Sequence, residues 1–160
     1  MYKRQTTSSY SANFSTVAGA PATVEKLAEY EEVVAVKEAS GNLAQVAEIL
    51  ERCGDKIAVL SGDDALSLPM YSLGAHGVIS VASNVAPKEM SDLYRLVQAG
   101  EGNAAADLQR QLNPLFVTLF VEPNPQPAKA ALALMGQMHD VLRLPLIPAA
   151  KRPELDCPRL

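Results

Sequence analysis

Hydrophobic positions along this chain switch between a continuous and a helical period, and the switches set out a repeating order. Val33, Val34, Ala35 and Val36 form a short apolar run of β-branched and small residues, the pattern of a strand buried on both faces of a parallel sheet. Lys37 ends the run. Ser40, Gly41 and Asn42 then supply turn and cap chemistry, after which Leu43, Val46, Ala47 and Leu50 recur at helical spacing. The stretch predicts strand, loop and helix, with a lysine at the strand's carboxyl end. The same grammar returns at residues 56–60 (K-I-A-V-L), closed by S-G-D-D at 61–64, with a helix expected from about residue 63 to 73. It returns again at 77–81 (G-V-I-S-V), followed by a polar loop at 82–84 and a helix entered through Pro87. Strand ends then fall near Lys37, Ser61 and Val81, a spacing that suits successive right-handed βα crossovers in one parallel sheet.

Helical periods account for most of the remainder. Residues 21–30 place Val24, Leu27 and Ala28 on one face, and residues 87–99 gather Met90, Leu93, Leu96 and Val97 before a stop at Gly100. A longer pattern at 103–121 carries Leu108, Leu112, Leu115 and Leu119, and Pro114 is expected to kink or split it. Pro123, Pro125 and Pro127 read as a rigid linker before a helix at 128–135. Residues 1–20, rich in serine, threonine and small side chains, read as disordered or as a poorly fitting edge, and the tail after Pro148 as frayed. Lys3 and Arg4 are followed by no apolar core of signal-peptide length, and no stretch reads as a membrane span.

The position of Lys37 directs attention to chemistry, because parallel sheets and barrels build their pockets at the carboxyl ends of strands. A lysine amine in water, with a pKa of about 10.4, is almost wholly protonated at neutral pH. Burial disfavours an ammonium and frees its lone pair to attack a ketone and form an imine. On its own surroundings Lys37 reads either as such a nucleophile or as a strand-end lysine, snorkelling to solvent or paired with the adjacent Glu38.

Other features narrow the classes. Fourteen Lys and Arg against 18 Asp and Glu give a net charge of -4, with no basic cluster or interleaved aromatics, so nucleic acid is not an expected partner. Cys53 and Cys157 have neither metal-like spacing nor a disulfide framework, which fits a reducing compartment. His76 and His139 stand alone and read as loop or helix-surface residues. Asp63 and Asp64 are adjacent and point apart, which favours helix capping over a carboxylate pair. Gly100 and Gly102 lack the wider pattern of a phosphate cradle.

Several segments carry a resemblance. V-A-V-K-E-A-S-G-N-L at 34–43, L-S-G-D-D-A at 60–65 and G-V-I-S-V-A-S-N-V-A-P at 77–87 closely resemble the dihydrodipicolinate synthase family. L-F-V-E-P-N-P at 119–125, P-A-K-A-A-L at 127–132 and L-R-L-P-L at 142–146 continue the match in the family's order, over about residues 23–148. The resemblance implies an α/β fold, the carboxyl-terminal portion of a TIM (β/α)8 barrel followed by a helical cap. Residues 1–20 would be a poorly matching segment, 21–100 three βα units of the barrel, 101–148 its last helix and the helical region, and 149–160 a tail. A complete barrel takes about 250 residues, so its first strands are expected to be absent here.

The resemblance further implies a Schiff-base lyase. Lys37 would condense with the ketone of pyruvate, and the enamine would attack L-aspartate semialdehyde to give 4-hydroxy-tetrahydrodipicolinate, on the route to diaminopimelate and lysine. No metal or external cofactor is implied, because the covalent imine between Lys37 and pyruvate serves as the electron sink. Ile79 would offer its main chain to pyruvate and Gly62 would lie beside the same pocket, although locally they read as a core isoleucine and a turn glycine. The implied partners are the two substrates, with no nucleic acid and no membrane; the implied location is cytoplasmic and the family assembly a homotetramer. Tyr10 falls within a residue of the family's relay tyrosine, but its surroundings (Y-S-A-N-F-S-T) do not match and no arginine follows, so that role is not carried over. Two alternatives stay open: another pyruvate-dependent aldolase, such as an N-acetylneuraminate lyase or a 2-keto-3-deoxy sugar-acid aldolase, and a half-barrel that binds or assembles without catalysing. The chain alone is expected to be weakly active or inactive.

Overall fold

Where apolar runs alternate with helical periods, the chain builds a parallel sheet. The computed structural model describes residues 20–150, which fall into two units that divide between Ile79 and Ser80. In the first, α1 (Ala20–Leu27), β1 (Ala35–Glu38), α2 (Leu43–Cys53), β2 (Ala58–Ser61), α3 (Ser67–Ser72) and β3 (Gly77–Val78) follow in chain order. The strands lie side by side as β1-β2-β3, all parallel. Lys37 stands opposite Leu60, and Leu60 opposite Gly77.

Side chains alternate across a strand, so each strand serves two faces. Val36 and Val59, register partners, turn to the same side and pack with Val24 of α1, Ile49 and Cys53 of α2, and Ile57. Ala35, Lys37, Ala58 and Leu60 occupy the alternate positions and are only half-buried. The reading of β1 as buried on both faces is therefore corrected: one face is closed by helices and the other carries the lysine.

Helix α2 is specified locally. Gly41 takes φ 79°, a left-handed conformation that L side chains rarely adopt, and brings Asn42 to the helix start. The Asn42 Oδ1 accepts the amide N–H groups of Ala44 and Gln45 at 3.1 and 3.2 Å, two donors that the first helical turn leaves without partners. Val46, Ile49 and Cys53 then recur on one buried face.

Strand boundaries lie later than the apolar runs. The Val33 amide donates to the Tyr30 carbonyl at 2.9 Å, and Lys56 and Ile57 both donate to Cys53, so these residues belong to turns and pairing begins only beyond them. The third strand is two residues long, not five, because its partner β2 ends at Ser61 and the Ile79 amide makes the last bond to that residue. The helix expected at 63–73 is shortened to α3: Leu66 and Ser67 donate to the carbonyls of Asp63 and Asp64, three residues back, which holds the acidic pair in a turn. Asp63 does cap locally, its Oδ1 accepting the Ala65 amide at 2.9 Å.

The second unit is helical: a short 3-10 turn at Ala82–Asn84, then α4 (Pro87–Gln98), α5 (Gly102–Thr118) and α6 (Gln126–Leu134). Gly100, at φ 75°, separates α4 from α5 as expected. Pro114 does not split α5. The helix runs continuously through it, with Leu112, Leu115 and Phe116 buried around an exposed proline. Helix α6 starts at Gln126, two residues before the expected point, because Pro127 sits in the first turn, where no N–H is needed. Its tether is polar: the Gln126 side-chain amide donates to the Ile147 carbonyl at 2.8 Å, and Lys129 donates to that of Val141.

Among the described residues no helix is long and apolar enough to cross a membrane. The expectations for residues 1–19 and 151–160, including Tyr10 and Cys157, lie outside the described residues.

Candidate functional site

Lys37, Gly62 and Ile79 are brought together at the carboxyl ends of three adjacent strands, all within the first unit. Lys37 is the penultimate residue of β1, Gly62 follows the last residue of β2, and Ile79 follows the last residue of β3. Two backbone hydrogen bonds extend the ladder past the strand ends and fix these positions to one another. The Gly62 amide donates to the Glu38 carbonyl at 2.7 Å, and the Ile79 amide donates to the Ser61 carbonyl at 2.8 Å.

The glycine is required by close approach. A Cβ built on Gly62 would lie 2.5 Å from Lys37 Cε, 3.2 Å from its Cγ and 2.7 Å from the Ala39 Cβ. The Lys37 stem therefore lies directly across the bare Gly62 backbone, so more than a turn is at stake. Leu60 leans the same way, its Cδ2 being 3.3 Å from where a Gly77 Cβ would sit. Ile79 is 43 % exposed and so is not the core isoleucine that its local sequence suggests.

The loop that carries Gly62 is tied down from within. Ser61, fully buried, donates its hydroxyl to the Asp63 carbonyl at 2.8 Å and accepts the Asp63 amide at 3.2 Å. Ser67 adds a second hydroxyl bond to the same carbonyl at 3.2 Å. On the far side of β2, the Val59 amide donates to the His76 Nδ1 at 3.1 Å while the His76 amide donates to the Val59 carbonyl at 2.8 Å. The histidine thus completes the ladder just before β3 begins, a role that no local motif announces.

Lys37 is not paired with Glu38. Adjacent strand residues point to opposite faces, and Glu38 is 4 % exposed on the helix side. Its Oε1 accepts the Ser40 amide at 3.0 Å and the Gln45 side-chain amide at 3.1 Å. Among the described residues the Lys37 ammonium makes no ion pair. Buried Glu38 escaped the sequence reading, and strand alternation is the signal that could have found it: a residue next to an open-face lysine must face the helices.

Other candidate chemistry falls away on geometry. Cys53 is buried under α2, donates its thiol to the Ile49 carbonyl at 3.2 Å, and has its pKa pushed up from 9.0, chiefly by burial, so it is poorly suited to attack. Among the described residues no group of three or more His, Cys, Asp or Glu side chains could hold a metal ion. The arrangement offers an amine on a half-buried face, a glycine that leaves room beside it, and main-chain groups from two further strand ends.

Known proteins resemble the chain in sequence and in fold. The family model described as the dihydrodipicolinate synthetase family matches residues 10–157. The 4-hydroxy-tetrahydrodipicolinate synthase of Thermodesulfovibrio yellowstonii is 46 % identical over 126 residues, 79 % of this chain and 43 % of that protein. Among solved structures, dihydrodipicolinate synthase from Aquifex aeolicus aligns with a TM-score of 0.78 at 44 % identity, covering 81 % of this chain and 45 % of that one. The chloride-inhibited dihydrodipicolinate synthase from Acinetobacter baumannii, complexed with pyruvate, aligns at 0.79 and 37 % identity, covering 82 % and 45 %. The chain spans less than half the length of these relatives.

Proposed function

The chain belongs to the dihydrodipicolinate synthetase family, and from that premise we propose that it is the carboxyl-terminal portion of a TIM-barrel Schiff-base lyase whose nucleophile is Lys37. The observation that carries the reading is the Lys37 stem lying against Gly62 at the carboxyl ends of adjacent parallel strands. Strand ends are where barrels hold their reacting groups, and an amine held there on a half-buried face is placed to meet a small keto acid.

The chemistry needs no metal. The deprotonated Lys37 amine attacks the ketone carbon of pyruvate, and loss of water leaves an iminium that draws electrons from the neighbouring methyl carbon. That carbon loses a proton to become an enamine, which attacks the aldehyde of L-aspartate semialdehyde; ring closure by the substrate's amine then releases Lys37 and gives 4-hydroxy-tetrahydrodipicolinate. The Ile79 main chain would meet the bound pyruvate, and Gly62 would leave room beside the same pocket, the amides of both being held in the strand ladder. Lys37, Gly62 and Ile79 do not themselves relay protons or hold the second substrate. The chain by itself is therefore expected to form the imine in low yield, and to turn over more slowly still. A cytoplasmic setting and a homotetrameric parent enzyme complete the proposal.

Borohydride reduction in the presence of pyruvate, followed by intact mass and peptide mapping, tests it. A reduced pyruvyl adduct on Lys37, absent from Lys37→Ala, is the expected result. Folded protein that yields no adduct would leave the family relationship as ancestry without activity. Should an adduct form, product assays with L-aspartate semialdehyde against sugar-derived acids separate the synthase from other pyruvate aldolases.

A further inference from the structure

Glu38 is an ionisable side chain buried on the closed face of the sheet, directly after the lysine, and it holds three pieces of chain together. Its Oε1 accepts N–H groups from Ser40, in the loop that leaves β1, and from Gln45, in the first turns of α2. Its own carbonyl, turned to the neighbouring strand, accepts the Gly62 amide at 2.7 Å. The peptide that follows Lys37 is thereby fixed from two directions, by the side chain toward α2 and by the main chain toward β2. The lysine stem itself lies across the Gly62 backbone.

We infer that Glu38 is the positioning residue for Lys37, holding the end of β1 so that the lysine stem lies over Gly62 and its amine faces the open side of the sheet. This rests on the reading of Lys37 as the nucleophile, and Glu38 touches neither substrate nor the reacting atoms. Both side-chain bonds are accepted by its Oε1, so charge is not required. Glutamine, which keeps a carbonyl oxygen at the same reach, should substitute, whereas alanine leaves the Ser40 amide and the Gln45 side chain without their acceptor.

The experiment compares the 160-residue chain with its Glu38→Gln and Glu38→Ala variants. Competitive acetylation with acetic anhydride across a pH series, resolved by peptide mapping, reads the reactivity of each lysine without any need for pyruvate. Exposed Lys56 serves as the internal reference. The expected result is a wild-type pH profile for Lys37 in Glu38→Gln and a change of about threefold or more in Glu38→Ala, with Lys56 unmoved, because a side chain released from its support loses its set geometry. An unchanged Lys37 profile in folded Glu38→Ala, or an equal change in both variants, would overturn the inference. If Glu38→Ala does not fold, Gln45→Ala removes one of the two donors and decides in its place: altered Lys37 labelling supports the role and unaltered labelling refutes it. Borohydride trapping with pyruvate runs alongside, and in Glu38→Ala the adduct should fall about tenfold or more. Absence of trapping in the wild type would count against the nucleophile, while the acetylation profiles would still settle the positioning.

Discussion

The two faces of the small parallel sheet are built from the same strands and put to opposite uses. On the closed face Val36, Val59 and Ser61 are buried, and the two valines sit within a cluster with Val24, Ile49 and Cys53. On the open face Ala35, Lys37, Ala58 and Leu60 remain half-buried, and no residue of this row enters that cluster. A period of two lets neighbouring residues divide the work: Val36 and Glu38 anchor the strand while Lys37, between them, stays available. Stability and reactivity are therefore separable by substitution, to a degree set by which face is cut.

The largest effect should come from the closed face. Ile49 is 1 % exposed, and Ile49→Ala removes its branched chain from a site with little room to relax, a loss of about 2–5 kcal/mol. Leu60→Ala on the open face deletes a similar number of carbons from a half-buried position and should cost about 1 kcal/mol. Urea unfolding of both variants checks the difference. Equal losses would mean that the open face is packed as tightly as the closed one.

Gly62→Ala should act on reactivity more than on stability. The added Cβ would meet the Lys37 stem and the Ala39 Cβ at distances that force both to shift. The lysine end is flexible and can move, but the Ala39 Cβ moves only with its backbone, so the stability loss should be about 1–3 kcal/mol. The trapped pyruvyl adduct, however, should fall about tenfold or more, because the amine no longer rests where the strand ends place it. An adduct yield equal to wild type would show that the approach of Lys37 to Gly62 has no bearing on the chemistry.

How much of this was legible in the sequence depends on whether the determinant is local. Helix α2 was legible because Gly41 and Asn42 punctuate its start within three residues, and α4 because Gly100 stops it. The strands were legible as elements but not at their edges. Val33 looks like strand, yet its amide is taken by the Tyr30 carbonyl, and the length of β3 is decided by where β2 stops. Lys37 could be singled out from its position at the end of an apolar run and from the resemblance around it. The intimacy of Lys37 with Gly62, 25 residues apart in sequence, could not, since it depends on how two strands are registered. The bond from the Val59 amide to His76 was hidden for the same reason: the histidine does lie exposed in a loop, as read, but nothing local announces that bond.

A smaller effect, confined to alkaline pH, reports on the closed face alone. Burial disfavours the thiolate of Cys53 and raises its pKa above 9.0, Glu25 and Asp55 adding to the rise while Lys56 and Arg52 oppose it. A raised folded pKa means that the native state holds its proton more tightly than the unfolded chain does. The associated stability is thus complete below about pH 9, the ordinary thiol range, and is lost as the pH climbs through the higher folded value. Urea midpoints should accordingly fall between pH 9 and 10 in the wild type and fall less in Cys53→Ala, once the constant loss of packing is subtracted. Iodoacetamide gives the matching kinetic readout: peptide-resolved alkylation of Cys53 at pH 8 should wait for unfolding, and Ile49→Ala, which loosens the same cluster, should admit the reagent while Leu60→Ala does not. Rapid alkylation of Cys53 in the native wild type would mean that the helix-covered face opens readily, and the contrast between the two faces would fail at its better-packed side.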